Sequence, residues 1–227
     1  MGLKRRPPGN DVRRVRAING NLRGVITNKA GRIVQYESFA ERSLLLRLDR
    51  DNDVLDYASQ PETLVYTTPD GKSHRYTPDF IVWKSQHRTE IHEVTRSGRT
   101  TQPQQQTRMT AARVVCQSRG WRYIVHTEHE LPQGTELSNL LLLVAYRPLG
   151  YRHNLLQTWL AQQPPQTSLL GALAAHVEQS NPPLTGNLYS NLYHAIWHGY
   201  IDINWEMLLL RNGQPNTAMP VSYGRTP

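Results

Sequence analysis

Two carboxylates occupy positions where an apolar strand pattern calls for aliphatic side chains. In Tyr76-Thr77-Pro78-Asp79-Phe80-Ile81-Val82-Trp83 an acid opens an apolar strand, and in Ile91-His92-Glu93-Val94 a second acid sits inside the next one. Side chains alternate between faces along a strand, so Asp79, Ile81 and Trp83 share one face, as do Ile91, Glu93 and Thr95. If the two strands pair, the carboxylates converge, and close carboxylates in an apolar setting repel unless a cation lies between them. Mg²⁺ suits such a pair, because it takes one or two carboxylates and keeps substrate phosphate as a further ligand. A hairpin with two solvent-facing edge carboxylates carries the same pattern. Alone, the feature leaves both readings open.

The 227 residues carry a formal charge of +8 with a pI near 9.8, which favours a polyanionic partner. The bias is strongest at the start, in Lys4, Arg5, Arg6, Arg13, Arg14, Arg16 and Arg23, followed by Lys29 and Arg32. A basic arm of this kind tracks phosphates or is simply a solvated tail. Cys116 is the only cysteine, which rules out an intramolecular disulfide and a Cys-rich zinc module and fits a reducing cytoplasm. The basic start is not followed by the apolar run of a signal peptide, and the longest apolar run, Leu140–Tyr146, is too short to span a bilayer. The sequence therefore predicts a soluble cytoplasmic protein with no membrane partner. Gly71-Lys72-Ser73 has the tail of a phosphate-binding loop, but Tyr66 stands where that loop needs its first glycine.

Residues 1–26 read as a basic arm, 27–132 as an α/β domain and 133–227 as a helical domain. Glu37, Glu41, Leu44, Leu45 and Leu48 form one stripe of a helix over Glu37–Asp49. The acids at its start either face solvent, where the helix dipole favours them, or join the two strand carboxylates. Strands are predicted over Thr63–Thr67, Ser73–Trp83 and Thr89–Thr95, with hairpin-turn chemistry at Pro69-Asp70-Gly71-Lys72. A polar loop over Arg96–Gln106 precedes a helix over Thr107–Arg119 and a strand over Trp121–Thr127. The order is helix, three strands, helix, strand. Helices are then predicted over Leu137–Tyr146, His153–Gln163, Ser168–Gln179 and Asn187–Tyr200, with a strand near Tyr200–Trp205, the outline of a winged helix.

This order resembles the restriction-endonuclease-like PD-(D/E)xK nuclease core. More narrowly, Tyr36-Glu37-Ser38-Phe39-Ala40-Glu41-Arg42, Asp53-Val54-Leu55, Gln60-Pro61 and Tyr76-Thr77-Pro78-Asp79-Phe80 resemble the TnsA family of transposon endonucleases, over roughly Thr27 to Thr127. Residues 137–227 agree more loosely with that family's helical, winged-helix-like C-terminal domain. The resemblance implies Mg²⁺, or Mn²⁺ in its place, held by Asp79, Glu93, the Val94 carbonyl and Glu41, with Glu37 as the second choice on the helix. It implies double-stranded DNA at transposon ends as substrate, and a TnsB-like transposase and a TnsC-like AAA+ ATPase as partners. Lys4, Arg5, Arg6, Arg13, Arg14, Arg16, Lys29 and Arg32 are the expected DNA contacts.

One departure matters. The family's Glu-x-Lys ends here on Thr95, which carries no charge. Arg96, Arg108, Arg113 and Lys84 are the nearby cations able to replace the lysine, and the sequence prefers none of them. Three readings follow: an active endonuclease subunit that cuts one strand at each transposon end, a catalytically weak or silent assembly subunit, and a free-standing restriction- or repair-type nuclease. His92 points away from Glu93 and is expected to be structural.

Overall fold

The computed structural model describes residues 23–68, 71–147, 153–180 and 187–224. Lys4, Arg5, Arg6, Arg13, Arg14 and Arg16 of the expected DNA-binding arm lie outside them. The chain divides into a unit ending at Leu131 and a unit beginning at Pro132.

The first unit is mixed α/β. It opens with a hairpin of β1 (Gly24–Thr27) and β2 (Ile33–Tyr36), for which the sequence predicts no structure. The Asn28 side chain accepts from the backbone N–H of Ala30 and Arg32, and Gly31 takes φ +79° to close the turn. Helix α1 (Phe39–Arg50) starts two residues later than predicted, because Ser38 caps it and leaves Glu37 outside. Leu44, Leu45 and Leu48 bury against Val54, Tyr57, Phe80 and Val82 on one face of the sheet.

That sheet has the order β3 (Val54–Ser59), β6 (Phe80–Lys84), β7 (Thr89–Val94), β8 (Arg122–His126). The first three strands run antiparallel, while β7 and β8 are parallel. One strand is new here, and one sequence expectation is corrected. Val54–Ser59 is a full strand, hidden because an irregularity between Val54 and Asp56 breaks the period of two. The predicted strand Ser73–Trp83 is two strands, since Thr77-Pro78-Asp79 interrupts it and Pro78 has no N–H to donate. Its first half, β5 (Ser73–Tyr76), pairs with β4 (Leu64–Thr67) in a separate two-stranded hairpin.

The predicted loop over Arg96–Gln106 is also corrected. It holds a short helix α2 (Ser97–Thr100) and the first turn of α3 (Pro103–Ser118). Pro103 at the first helical turn is a favourable start, and glutamine is a good helix former, so the polar text conceals a helix. Cys116 of α3 packs on Ile81 and Ile91, on the sheet face opposite α1, and Ala112 packs with Leu64 and Tyr76.

The second unit holds α4 (Gly134–Leu143), α5 (His153–Gln162), α6 (Leu170–Ser180) and α7 (Leu188–Trp197). Its three-stranded antiparallel sheet has the order β10 (Ile201–Ile203), β13 (Pro220–Tyr223), β9 (Gln166–Leu169). A small hairpin of β11 (Leu210–Arg211) and β12 (Gln214–Pro215) lies between β10 and β13. The predicted helix from Ser168 is therefore β9 running directly into α6. No breaker separates them, and Gly171 marks the junction: its N–H donates to the Thr217 carbonyl, and a Cβ there would meet the Thr217 side chain at 2.8 Å. Among the described residues, no helix is long and apolar enough to cross a membrane.

Candidate active site

The register Phe80↔His92 and Ile81↔Ile91 sets the geometry, because it places Asp79 opposite Glu93. Ile81 and Ile91 lie between the sheet and α3, so the two acids emerge on that same face at the end of the strand pair. Asp79 Oδ2 accepts the Val94 N–H at 2.8 Å. The Val94 carbonyl leaves the strand on the same side as its N–H and so faces Asp79. Glu93 is only 4% exposed.

Burial pushes the Asp79 carboxyl well above the usual carboxylate range, and the neighbouring Glu93 pushes it further. Burial raises Glu93 too, against hydrogen bonding and the Arg108 charge. Two like-charged groups are thus held where neither ionises easily.

Side chains of β5 and α3 donate to Glu93. The Tyr76 hydroxyl donates to its Oε2, and Arg108 Nη2 donates to its Oε1 at 2.7 Å. The Arg108 guanidinium lies 4.7 Å from the centre of the Tyr76 ring, and the Tyr76 and Tyr123 hydroxyls are 3.3 Å apart. The sequence singles out neither Tyr123 nor the hydroxyl of Tyr76. Their only signal is position: Tyr76 ends β5 just before Pro-Asp, and Tyr123 lies opposite Ile91 on β8.

Glu41 takes part in a reciprocal cap. The Ser38 hydroxyl accepts the Glu41 N–H, while Glu41 receives the Ser38 hydroxyl at 3.0 Å and the Glu37 N–H at 2.7 Å. Burial first, and the Asp79 charge second, raise Glu41 to about 7. A small polar cleft joins Glu41, Glu37, Gln60, Thr77 and Asp79. Asp79 therefore faces an acid on either side.

Thr95 continues the strand, its N–H donating to the His126 carbonyl at 2.9 Å. Of the expected DNA contacts within the described residues, Arg32 pairs with Asp56 at 3.2 Å and the Lys29 ammonium donates to the Asp51 carbonyl. His92 lies on the α1 face, buried between His126 at 2.8 Å and Glu90 at 3.1 Å.

Residues 51–128 match the family model described as TnsA-like endonuclease N terminal. This stretch is similar to the N-terminal domain of TnsA-like endonucleases. It contains Asp79, Glu93, Val94, Thr95 and Arg108, while Glu41 precedes it. No curated protein matches the chain.

Among the described residues, no three His, Cys, Asp or Glu side chains form a ready-made metal cluster. The chemistry of the donors still fits Mg²⁺: two mutually repelling oxygen donors and a carbonyl suit an ion that takes one or two carboxylates and completes its shell with water and phosphate. A Zn²⁺-type cage of nitrogen and sulfur ligands finds no such fit here.

Proposed function

We propose that the protein is the endonuclease subunit of a heteromeric transposase, cutting one DNA strand at each transposon end with a TnsB-like transposase and a TnsC-like ATPase. The observation that carries this reading is the Asp79–Glu93 pair, paired across β6 and β7 inside the TnsA-like domain. Asp79, Glu93 and the Val94 carbonyl would hold Mg²⁺, and Glu41 would supply a further carboxylate from the cleft. When bound, the ion supplies Lewis acidity toward the scissile phosphate and a more acidic water. The Val94 N–H fixes the orientation of Asp79, and Tyr76 fixes that of Glu93.

The DNA contact is assigned to residues 1–131. Residues 132–227 hold four cationic side chains, Arg147, Arg152, Arg211 and Arg225, against Glu136, Glu178, Asp202 and Glu206, so the whole excess of +8 lies in the first unit. The order of α5, β9, α6, α7, β10 and β13 supports a winged helix in the second unit. Its α7 is buried over Asn191–Trp197, which argues against use of that helix in a DNA groove.

Wild-type protein is expected to nick a supercoiled plasmid carrying the transposon ends in Mg²⁺ or Mn²⁺, with a TnsB-like transposase and a TnsC-like ATPase present, and to stop in EDTA. Nicking that persists in EDTA would remove the metal from this reading. The silent-subunit alternative rests on Thr95 and expects no nicking by wild type in any metal.

Exposed Arg96 and Arg99, just beyond β7, are placed to meet phosphates beside the acids. Replacing both with alanine is expected to flatten the slope of log K against log salt by roughly 2, near one for each phosphate contact. Deleting residues 2–16, which removes Lys4, Arg5, Arg6, Arg13, Arg14 and Arg16, should flatten it further. Fluorescence anisotropy across a salt series reads both, and slopes equal to that of wild type would take these residues off the DNA.

A further inference from the structure

The site holds two carboxylates and, at position 95, no lysine to balance them. Four nearby cations are candidates, and the geometry separates them. Lys84 pairs with Asp51 at 3.1 Å and Asp53 at 3.2 Å, at the end of β6 away from Asp79. Arg113 lies 5.9 Å from the centre of the Tyr123 ring. Arg96 is exposed beyond the strand end. Arg108 alone of the four has a contact with a site acid, at 2.7 Å from Glu93.

Arg108 is also incompletely satisfied. Its Nη2 serves Glu93, its flat face lies over Tyr76, and its buried Nε has no hydrogen-bond partner. A guanidinium presents its donors as a rigid fork suited to anionic oxygens. A buried donor left without an acceptor is unfavourable, and an anionic oxygen arriving beside Glu93 would relieve it.

We propose that Arg108, reaching in from α3, is the catalytic cation of this nuclease, taking on the scissile phosphate the role that the Glu-x-Lys lysine would have at position 95. This assignment rests on the endonuclease reading above. As the oxygen of water bonds to phosphorus, the bond from phosphorus to the leaving sugar oxygen breaks. Water releases a proton to solvent and the leaving oxygen takes one up. Negative charge builds on the non-bridging oxygens meanwhile, and the fork of Arg108 meets it. Thr95 is then tolerated because the charge enters from a helix instead of the strand.

The test compares wild type, Arg108→Ala, Arg108→Lys, the double variant Arg108→Ala/Thr95→Lys, and Asp79→Ala in single-turnover nicking, with Mn²⁺ affinity and a melting curve for each. Arg108→Ala is expected to cut about 10²–10³-fold more slowly, the scale of one preorganised electrostatic partner. It should melt as a folded protein and bind Mn²⁺ no more weakly than wild type. Arg108→Lys should keep activity within about tenfold of wild type, and the double variant should recover at least about tenfold of the loss. Unimpaired cutting by Arg108→Ala, or a loss that Thr95→Lys does not relieve, would overturn the assignment, as would weakened Mn²⁺ binding. Asp79→Ala separates the two levels. If wild type cuts and Asp79→Ala does not, failure at Arg108 leaves the nuclease intact. If Asp79→Ala cuts as wild type does, the site itself is wrong, and a wild type that never cuts ends both.

Discussion

Without divalent cation at pH 8, Asp79→Asn should be more stable than wild type, by about 1–3 kcal/mol, while its cleavage falls by at least about 10³-fold. Both effects come from one arrangement. Asp79 stands against Glu93 and feels the charge of Glu41, and burial raises all three acids above their ordinary values. A raised carboxyl holds its proton in the folded chain at a pH where the unfolded chain has released it. Stability from these groups is therefore complete below about pH 4 and is lost as pH rises, through about 7 for Glu41. The wild-type melting temperature in EDTA should decline between pH 5 and 8, whereas that of Asp79→Asn should decline less. Mg²⁺ should restore wild type at pH 8 and leave the variant unchanged, because the ion replaces repulsion with coordination only where both acids remain. Thermal melts at the two pH values, with and without Mg²⁺, decide it. An Asp79→Asn protein less stable than wild type at both would show that the site is not under electrostatic strain.

The acid pair was legible in the sequence because strand alternation is strict. Asp79 and Glu93 interrupt apolar runs at positions that a two-residue period puts on one face, and pairing of β6 with β7 places them opposite each other. Other features depend on contacts distant in sequence. Arg108 lies 15 residues beyond Glu93 on α3, and only the packing of that helix on the sheet brings it to the carboxylate. Tyr76 and Tyr123 look like ordinary strand aromatics until their hydroxyls meet. Lys29 and Arg32 illustrate the converse. As text they extend the basic arm, but the β1–β2 turn holds them beside Asp51 and Asp56. Charge composition gives the sign of a partner and says little about which cations remain for it. Strand β3 escaped for a local reason, the irregularity at Leu55 that shifts its alternation.

Glu41→Gln is expected to cut about 10²-fold more slowly than wild type, while Glu37→Gln stays within about threefold of it. The comparison matters because Glu41 already has a structural occupation: it completes the reciprocal cap with Ser38 and receives the Glu37 N–H. Glutamine also serves at that position of the cap: its amide oxygen accepts the Glu37 N–H and its NH2 donates to the Ser38 hydroxyl, so the helix start is kept while the charge and one acceptor are lost. Glu41→Ala removes both and should lower stability by about 1 kcal/mol. Glu37 precedes the cap, and its side chain meets the cleft through a 3.5 Å hydrogen bond from Gln60. Asp79 raises Glu41, which places those two acids in one field. A cation at Asp79 would draw Glu41 toward ionisation at neutral pH, and the amide of glutamine cannot respond in that way. Cleavage by Glu41→Gln at the wild-type rate, with an unchanged melting curve, would make Glu41 a capping residue alone and leave the metal to Asp79, Glu93 and the Val94 carbonyl.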